Sequence, residues 1–227
     1  MTGIELAPAG REPVDLISAS EVEALIAACS ALSATGGRNR ALIIILARAG
    51  LRIGEALALH AEDVDQATGV ISIKRGPGCK PRTVGLDAAS VAVIGRWMEM
   101  RAKLGVSGHD VPVFSTLRGR PLTADYVRAL LPRLGRKAAI SKRVHAQGLR
   151  DSLAIQLSAE GWPVAAIQKQ LGHANIATTA RLIGHANSAS VDVVALMRGR
   201  TTSCTEGGAD TQPPSSGNET TQKRPEV

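Results

Sequence analysis

Arg150 and His173 are the side chains in this sequence best placed to do chemistry on an anion. Arg150 lies in a predicted helix with apolar neighbours, so its guanidinium is held on an apolar scaffold, where an arginine usually meets an anion. A guanidinium suits phosphate because its planar fork donates two hydrogen bonds at once. His173 follows Gly172, a residue typical of a helix end, so we expect this imidazole on a turn.

Three short helices between Gln147 and Leu182 are predicted to position these two side chains. Gly161 and Pro163 interrupt the first helix, and an apolar stripe over Val164–Leu171 defines the second. The third helix starts after the Ala174–Asn175 turn. The arginine is therefore expected inside a helix and the histidine between two helices.

Three motifs resemble those of the tyrosine recombinase (phage integrase) catalytic domain. The family pattern H-x-L-R-H-[ST]-x-A is matched by Q-G-L-R-D-S-L-A at Gln147–Ala154, and L-G-H-x-x-[IL]-x-T-T is matched by L-G-H-A-N-I-A-T-T at Leu171–Thr179. Earlier in the chain, G-L-R-x-[SG]-E-[AL] is matched at Gly50–Ala56, which puts the first active-site arginine of the family at Arg52. The resemblance spans about residues 18 to 199.

The resemblance implies a reaction in which a tyrosine attacks a phosphate of double-stranded DNA. Two arginines hold the phosphate oxygens, a lysine protonates the leaving oxygen and histidines assist, without a metal or cofactor. Arg52, Arg150 and His173 match the family at their positions. Three other active-site positions depart from it. They are Pro77 for the lysine, Gln147 for the first histidine and Leu182 for the tyrosine nucleophile.

The net charge of +7 fits a polyanionic partner, although a basic face kept for solubility explains the charge equally well. One group of basic residues near a predicted hairpin and another just ahead of the Arg150 helix are candidates for contacts with the DNA backbone. They are Lys74, Lys80 and Arg82 in the first group, and Arg136, Lys137, Lys142 and Arg143 in the second.

Sequence periodicity and the resemblance together predict a mainly α fold with a small antiparallel β-hairpin. Ser18 and Glu21 form an S-x-x-E capping box for the first helix. A Thr35–Gly37 loop is expected next, followed by a strongly apolar helix over Arg38–Ala49 that Gly50 ends. Alternating residues at 70–74 and 82–86 predict the two strands.

We expect one recombinase-like domain over residues 16–199, with a flexible leader at 1–15 and a disordered tail at 200–227. The tail has almost no apolar residues and is rich in Gly, Ser, Thr and Pro, so it cannot bury enough surface to order itself. Relatives exchange C-terminal helices on DNA, and residues 191–197 are a candidate for such a helix. This suggests a second copy, or a full-length recombinase, as a further partner.

The three cysteines and the hydropathy favour a cytoplasmic protein without a metal site. No C-x-x-C pair is present, so neither a disulfide framework nor a zinc site is indicated. No apolar run approaches the ~18 residues that a membrane span needs.

The sequence thus predicts a DNA-binding protein related to integrases of mobile elements that has lost its own strand-transfer activity. One alternative is an active recombinase that uses Tyr126, the sole tyrosine, or a tyrosine of a partner. The other is a non-enzymatic helical regulator or a decayed remnant.

Overall fold

The computed structural model describes residues 16–74, 76 and 81–184. Eight helices occur in this part of the chain. They are α1 (Ala19–Ala28), α2 (Ala34–Ala47), α3 (Ile53–Leu57), α4 (Ala88–Lys103), α5 (Ala124–Lys137), α6 (Ala146–Ala159), α7 (Val164–Leu171) and α8 (176–184). The expected leader (1–15), the tail (200–227) and the candidate helix at 191–197 lie outside the described residues.

A three-stranded antiparallel sheet lies between α3 and α4 in the chain. Its strands, in the order β1-β2-β3, are Val64–Asp65, Val70–Ile73 and Arg82–Gly85. The predicted hairpin is confirmed as β2 and β3, which pair with Ile71 opposite Val84. The sequence did not predict β1 as a separate strand, and a 3-10 turn at Ala61–Asp63 leads into it.

Helix α2 is the centre of the main hydrophobic core. Every residue from Ala41 to Ala47 is buried, and the helix packs against α1, α3, α4 and α6. A helix that is apolar on all sides must be enclosed in this way because no face of it favours water. The turn that follows α2 is therefore held in place from several sides.

The expected Thr35–Gly37 loop was wrong, because these residues form the first turn of α2. The Ser33 side chain caps the helix by accepting a hydrogen bond from the Gly36 N–H at 3.0 Å. Gly36 also lies so close to the Ser30 backbone that a Cβ atom would stand 2.0 Å from the Ser30 carbonyl oxygen. The glycine that suggested a loop is required by close packing.

Several predicted helix ends are confirmed. Ser18 and Glu21 form the predicted capping box of α1. Gly172 directly follows α7 as expected, whereas α2 ends at Ala47, before the predicted Ala49. Gly50 and Gly172 both adopt left-handed backbone conformations, with φ of +68° and +67°. Within the described part of the chain, none of the helices has the length and apolar character needed to cross a membrane.

Candidate functional site

Arg150 joins the two segments that carry the other candidate residues. It lies on α6 and is 1% exposed. One terminal nitrogen donates to the Gly50 carbonyl and the other to the Leu171 carbonyl. Because these carbonyls lie two residues before Arg52 and two residues before His173, Arg150 fixes the position of both turns.

Arg52 occupies the N-cap of α3 and, unlike Arg150, is accessible to solvent. Its side chain is 41% exposed, and Nη1 donates to Oε1 of Glu55 at 3.1 Å. The backbone N–H of Arg52 donates to the other carboxylate oxygen at 2.9 Å. Both contacts allow Glu55 to hold Arg52 at this turn.

Arg82, at the start of β3, completes the wall of the site. Its side chain is 7% exposed, and its two terminal nitrogens donate to Oε1 and Oε2 of Glu55 at 2.8 and 2.9 Å. Its Nε donates to the Gln170 carbonyl at 3.3 Å. Arg82 was predicted to contact DNA, but the structure places it inside the protein, where its guanidinium is bound to Glu55.

The electrostatics of Glu55 reflect this double contact. Burial by itself would raise the pKa of Glu55, but the hydrogen bonds from the Arg82 side chain and the Arg52 backbone lower it to about 2. The carboxylate is therefore ionised at neutral pH and remains available to both arginines.

His173 lies on the turn after α7, as the sequence predicted. Its Nδ1 is 2.9 Å from the hydroxyl oxygen of Thr179, which is fully buried. Burial, and then the positive charges of Arg150, Arg52 and Arg82, lower the pKa of His173 to about 4. The imidazole is therefore neutral at pH 7.

The structure brings Arg52, Arg150 and His173 into one electrostatic environment. Burial, together with the charges of Arg52 and Arg82, lowers the pKa of Arg150 to about 10, so it stays protonated near neutral pH. The guanidiniums of Arg52 and Arg82 contact the buried Glu55 carboxylate, and the charge of Arg150 is near enough to interact with it. This arrangement can bind an oxyanion through charge-assisted hydrogen bonds, with Arg52 as its exposed donor.

The positions that depart from the family pattern have different environments. Gln147 is exposed and its amide nitrogen donates to the Asp151 carboxylate at 2.7 Å. Leu182 is partly buried and packs on a second, smaller hydrophobic cluster. The buried members of this cluster are Leu153, Ala154, Ile167, Leu171 and Ile183.

Pro77 lies outside the described residues, but the hairpin passes the site just before it. Gly76 has φ of +126°, and a Cβ atom there would stand 3.2 Å from the Cα atom of Glu55. The segment that precedes position 77 is thus in contact with the α3 turn.

Tyr126 lies at the opposite end of α2 from the site. Its hydroxyl donates to the side-chain oxygen of Asn39 at 3.1 Å and accepts from Arg38, whose guanidinium also stacks 4.9 Å from the ring centroid. Ala47 lies eight residues after Asn39 in the helix, which corresponds to about 12 Å along the axis. The phenol is therefore not brought next to the Gly50 turn.

The remaining basic candidates differ in their environments. The side chains of Arg136 and Arg143 are exposed to solvent. Lys74 pairs with Asp63 at 3.3 Å while its side chain stays 55% exposed. Lys80 lies outside the described residues.

Lys137 and Lys142 hold α1 against the rest of the protein. Lys137 donates to the Ala28 carbonyl at 2.7 Å, at the end of α1. Lys142 donates to the Leu16 carbonyl at 2.8 Å and to Glu21 at 3.0 Å, at its start. Both side chains thus have structural contacts in addition to any contact with DNA.

The sequence contained an overlooked sign of the Arg82–Glu55 pair. Side chains two residues apart on a strand point to the same face of the sheet. Because Val84 was predicted on a strand with a buried face, Arg82 belonged to that face as well.

No group of three or more His, Cys, Asp or Glu side chains suited to a metal occurs among the residues that the structure describes.

Comparison with known proteins shows which family the chain resembles. The model of the phage integrase family matches residues 16–189. The chain is 35% identical to tyrosine recombinase XerC of Halalkalibacterium halodurans over 164 residues, which is 70% of this chain and 54% of XerC.

Solved structures of recombinases share the fold. The XerA recombinase crystal structure has a TM-score of 0.69 and 28% sequence identity, and the match covers 81% of this chain and 65% of XerA. XerH site-specific recombinase bound to palindromic difH substrate in a post-cleavage complex gives 0.70 and 26%, covering 85% of this chain and 56% of XerH. The chain spans about half of the length of the curated relatives that it matches. It belongs to the phage integrase family of tyrosine recombinases.

Proposed function

We propose that this chain binds double-stranded DNA by gripping a backbone phosphate with Arg52, Arg150 and His173, and that it does not itself cut and rejoin the strand. The DNA-bound structure of the similar XerH recombinase supports DNA as the ligand. The exposed guanidinium of Arg52 supplies the first contact, and the buried charge of Arg150 strengthens the attraction for the phosphate.

The observation that carries this proposal is the environment of Leu182. A nucleophile must present a reactive oxygen to the phosphate, but at this position there is an aliphatic side chain packed on the second hydrophobic cluster. Leucine has no atom that can form a phosphoester. Loss of a covalent nucleophile ordinarily abolishes a covalent mechanism, whereas a phosphate-binding site can persist without it.

Two further features support the loss of strand transfer. Gln147 can donate a hydrogen bond but cannot transfer a proton near neutral pH, in contrast to the histidine of the family pattern. Pro77 has no ionisable group with which to protonate a leaving oxygen. The placement of Tyr126 beside Arg38 and Asn39 argues against its use as an internal substitute nucleophile.

The exposed side chains of Arg136 and Arg143 are proposed as further contacts with the DNA backbone. Such contacts orient a protein on the duplex and make its affinity sensitive to salt, because each neutralised phosphate releases counterions. We also propose that a second copy or a longer recombinase binds beside this chain on the same duplex.

A covalent-trapping assay tests the proposed function. The chain is incubated with a pool of nicked duplexes of random sequence, and covalent adducts are sought on a denaturing gel. We expect no adduct from the natural chain, and an adduct from the triple variant Pro77→Lys, Gln147→His and Leu182→Tyr. The matched control carries Leu182→Phe in place of Leu182→Tyr, which supplies the ring without the hydroxyl.

A shift assay with the same duplexes supplies the second readout. We expect binding that weakens steeply between about 50 and 200 mM salt. An adduct formed by the natural chain would refute the proposed loss of strand transfer. Absence of any binding at low salt would refute the proposed DNA binding.

A further inference from the structure

Three contacts connect Arg82 to both sides of the candidate site. Its two terminal nitrogens hold the two oxygens of Glu55 at 2.8 and 2.9 Å, and the same oxygens accept from Nη1 and the backbone N–H of Arg52. Its Nε holds the Gln170 carbonyl, three residues before His173. One guanidinium thus touches the segments that carry Arg52 and His173.

Gly172 shows how closely Arg82 fits against the second of these segments. A Cβ atom on Gly172 would stand 2.7 Å from Cζ and Nε of Arg82, so only glycine allows the guanidinium to lie against this turn. The left-handed φ of +67° also favours glycine at this position. The turn before His173 is therefore shaped to receive Arg82.

Exposure separates the roles of the two arginines. The Arg82 side chain is 7% exposed and all three of its nitrogens are engaged, whereas the Arg52 side chain is 41% exposed and donates to Glu55 through one terminal nitrogen. A phosphate arriving from solvent can reach Arg52 without breaking the contacts of Arg82. A lysine at position 82 would keep the charge but could not reproduce the planar two-point contact with Glu55.

We propose that Arg82 is a positioning residue for phosphate binding, which holds Glu55 so that Glu55 fixes Arg52 at the α3 turn, while its Nε and its contact with Gly172 fix the turn of His173. This inference rests on the proposed function, because it assumes that Arg52 binds phosphate. It assigns Arg82 an indirect role in DNA binding in place of the direct contact expected from the sequence.

A double-mutant cycle on the full chain tests the inference with a duplex of random sequence. Arg52→Ala should weaken binding roughly tenfold through the loss of one charge-assisted contact. Arg82→Lys should weaken it to a similar extent and lower the salt slope by about 1, although the net charge is unchanged. The double variant should lose less affinity than the sum of the two single losses, because the part of the Arg82 effect that acts through Arg52 cannot be lost twice.

The matched control is Arg96→Lys, the same substitution at an exposed site on α4. It should leave both the affinity and the salt slope unchanged. A purely structural role for Arg82 would lower the unfolding midpoint but leave the salt slope of the folded protein as it was. That result, or full additivity in the cycle, would overturn the inference.

An NMR experiment on the natural chain covers the case in which Arg82→Lys does not fold. When duplex is added, the side-chain N–H signals of Arg52 should shift, and those of Arg82 should stay in place. The largest shift at Arg82 would show direct contact and overturn the inference. An unchanged Arg52 signal, or no effect of Arg52→Ala on affinity, would instead overturn the proposed function, and the inference with it.

Discussion

At the scale of single residues, Glu55 is the group on which the candidate site most depends. Its buried carboxylate balances the charges of Arg52 and Arg82, and without it two guanidiniums would face each other without a counter-ion. Removing one partner of a buried ion pair is strongly destabilising, since the other charge remains buried and unpaired. Residue 55 therefore contributes to both stability and charge balance.

The first prediction concerns Glu55→Gln. The pKa of Glu55 falls from its ordinary 4.5 to about 2 in the folded protein, so its ionisation stabilises the fold above pH 4.5 and this stabilisation disappears as the pH falls toward 2. We expect the variant to lose about 3 kcal/mol at pH 7. Urea denaturation at pH 7 and pH 3 should show a smaller difference from the natural chain at the lower pH.

Glu99→Gln is the control for this measurement, because Glu99 is exposed on α4. Its unfolding free energy should match that of the natural chain within about 0.5 kcal/mol at both pH values. A destabilisation by Glu55→Gln that stayed constant with pH would contradict the assigned role of the ionised carboxylate.

At the scale of elements, the Gly50 turn transmits the packing of α2, α6 and α7 to the site. A Cβ atom at Gly50 would lie 2.7 Å from Leu171 and 2.8 Å from Leu153, and the Gly50 carbonyl accepts a hydrogen bond from Arg150. Any displacement of this turn must therefore move the arginine or the two helices. The position of Arg150 in the candidate site therefore depends on how these helices pack around the turn.

The second prediction compares Gly50→Ala with Gly105→Ala. Both glycines have left-handed φ values, +68° and +70°, but a Cβ atom at Gly105 would meet nothing within 4 Å. We expect Gly105→Ala to cost about 1 kcal/mol from backbone strain alone. Gly50→Ala should cost about 3 kcal/mol, because overpacking is added to the strain.

Chemical denaturation at pH 7 measures both costs, and the difference isolates the packing contribution. Equal losses for the two variants would show that Leu153 and Leu171 accommodate an added Cβ atom at position 50 without a packing cost.

Local sequence signals predicted where the helices begin and end better than they predicted which residues contact each other in the folded protein. Ser18, Gly50 and Gly172 are recognisable because a cap or a left-handed turn depends on a few neighbouring residues. The Arg82–Glu55 pair joins residues far apart in the chain, and only the folded sheet brings them together. Gly36 was misread because a glycine required by close packing, here against the backbone of Ser30 six residues earlier, has the same sequence signal as a glycine in a loop.

The family motifs predicted Arg52, Arg150 and His173 as one group, and the structure brings these residues together. They did not predict that Arg150 would bind two backbone carbonyls or that Lys142 would hold α1, because a motif specifies residue types but not the contacts of each donor. The assigned functional roles of these residues stay predictions.

At the scale of the whole molecule, the two hydrophobic clusters share one helix. Leu149 belongs to the main cluster and Leu153, one turn later on α6, to the second. Rupture of either cluster removes support from the other through this helix. The described part of the chain should therefore unfold as one cooperative unit.

The third prediction tests this cooperativity with two probes. In Trp162→Phe the tryptophan fluorescence comes only from Trp97, which is 1% exposed and belongs to the main cluster. Its urea midpoint should coincide with that of far-UV circular dichroism. Amide hydrogen exchange at Ile167, in the second cluster, should give an opening free energy close to the global value.

A broad transition, or an Ile167 amide that exchanges through a much smaller opening, would show that the second cluster is independent. Such behaviour would also favour the alternative of a decayed remnant, since a chain without selection for function has no reason to retain cooperative packing.

The hydrogen bonds of Arg150 to the Gly50 and Leu171 carbonyls would be affected if the chain were cleaved into two fragments. Arg52 and Arg82 precede the exposed loop at 107–110, whereas Arg150 and His173 follow it. A cut in this loop would leave the guanidiniums of Arg52 and Arg82 on one side of the break, and the guanidinium of Arg150 with the imidazole of His173 on the other. It would also separate the Gly50 carbonyl from its hydrogen-bond donor, Arg150. Neither fragment alone would then contain a complete anion receptor, and reassociation of the two halves would have to rebuild it.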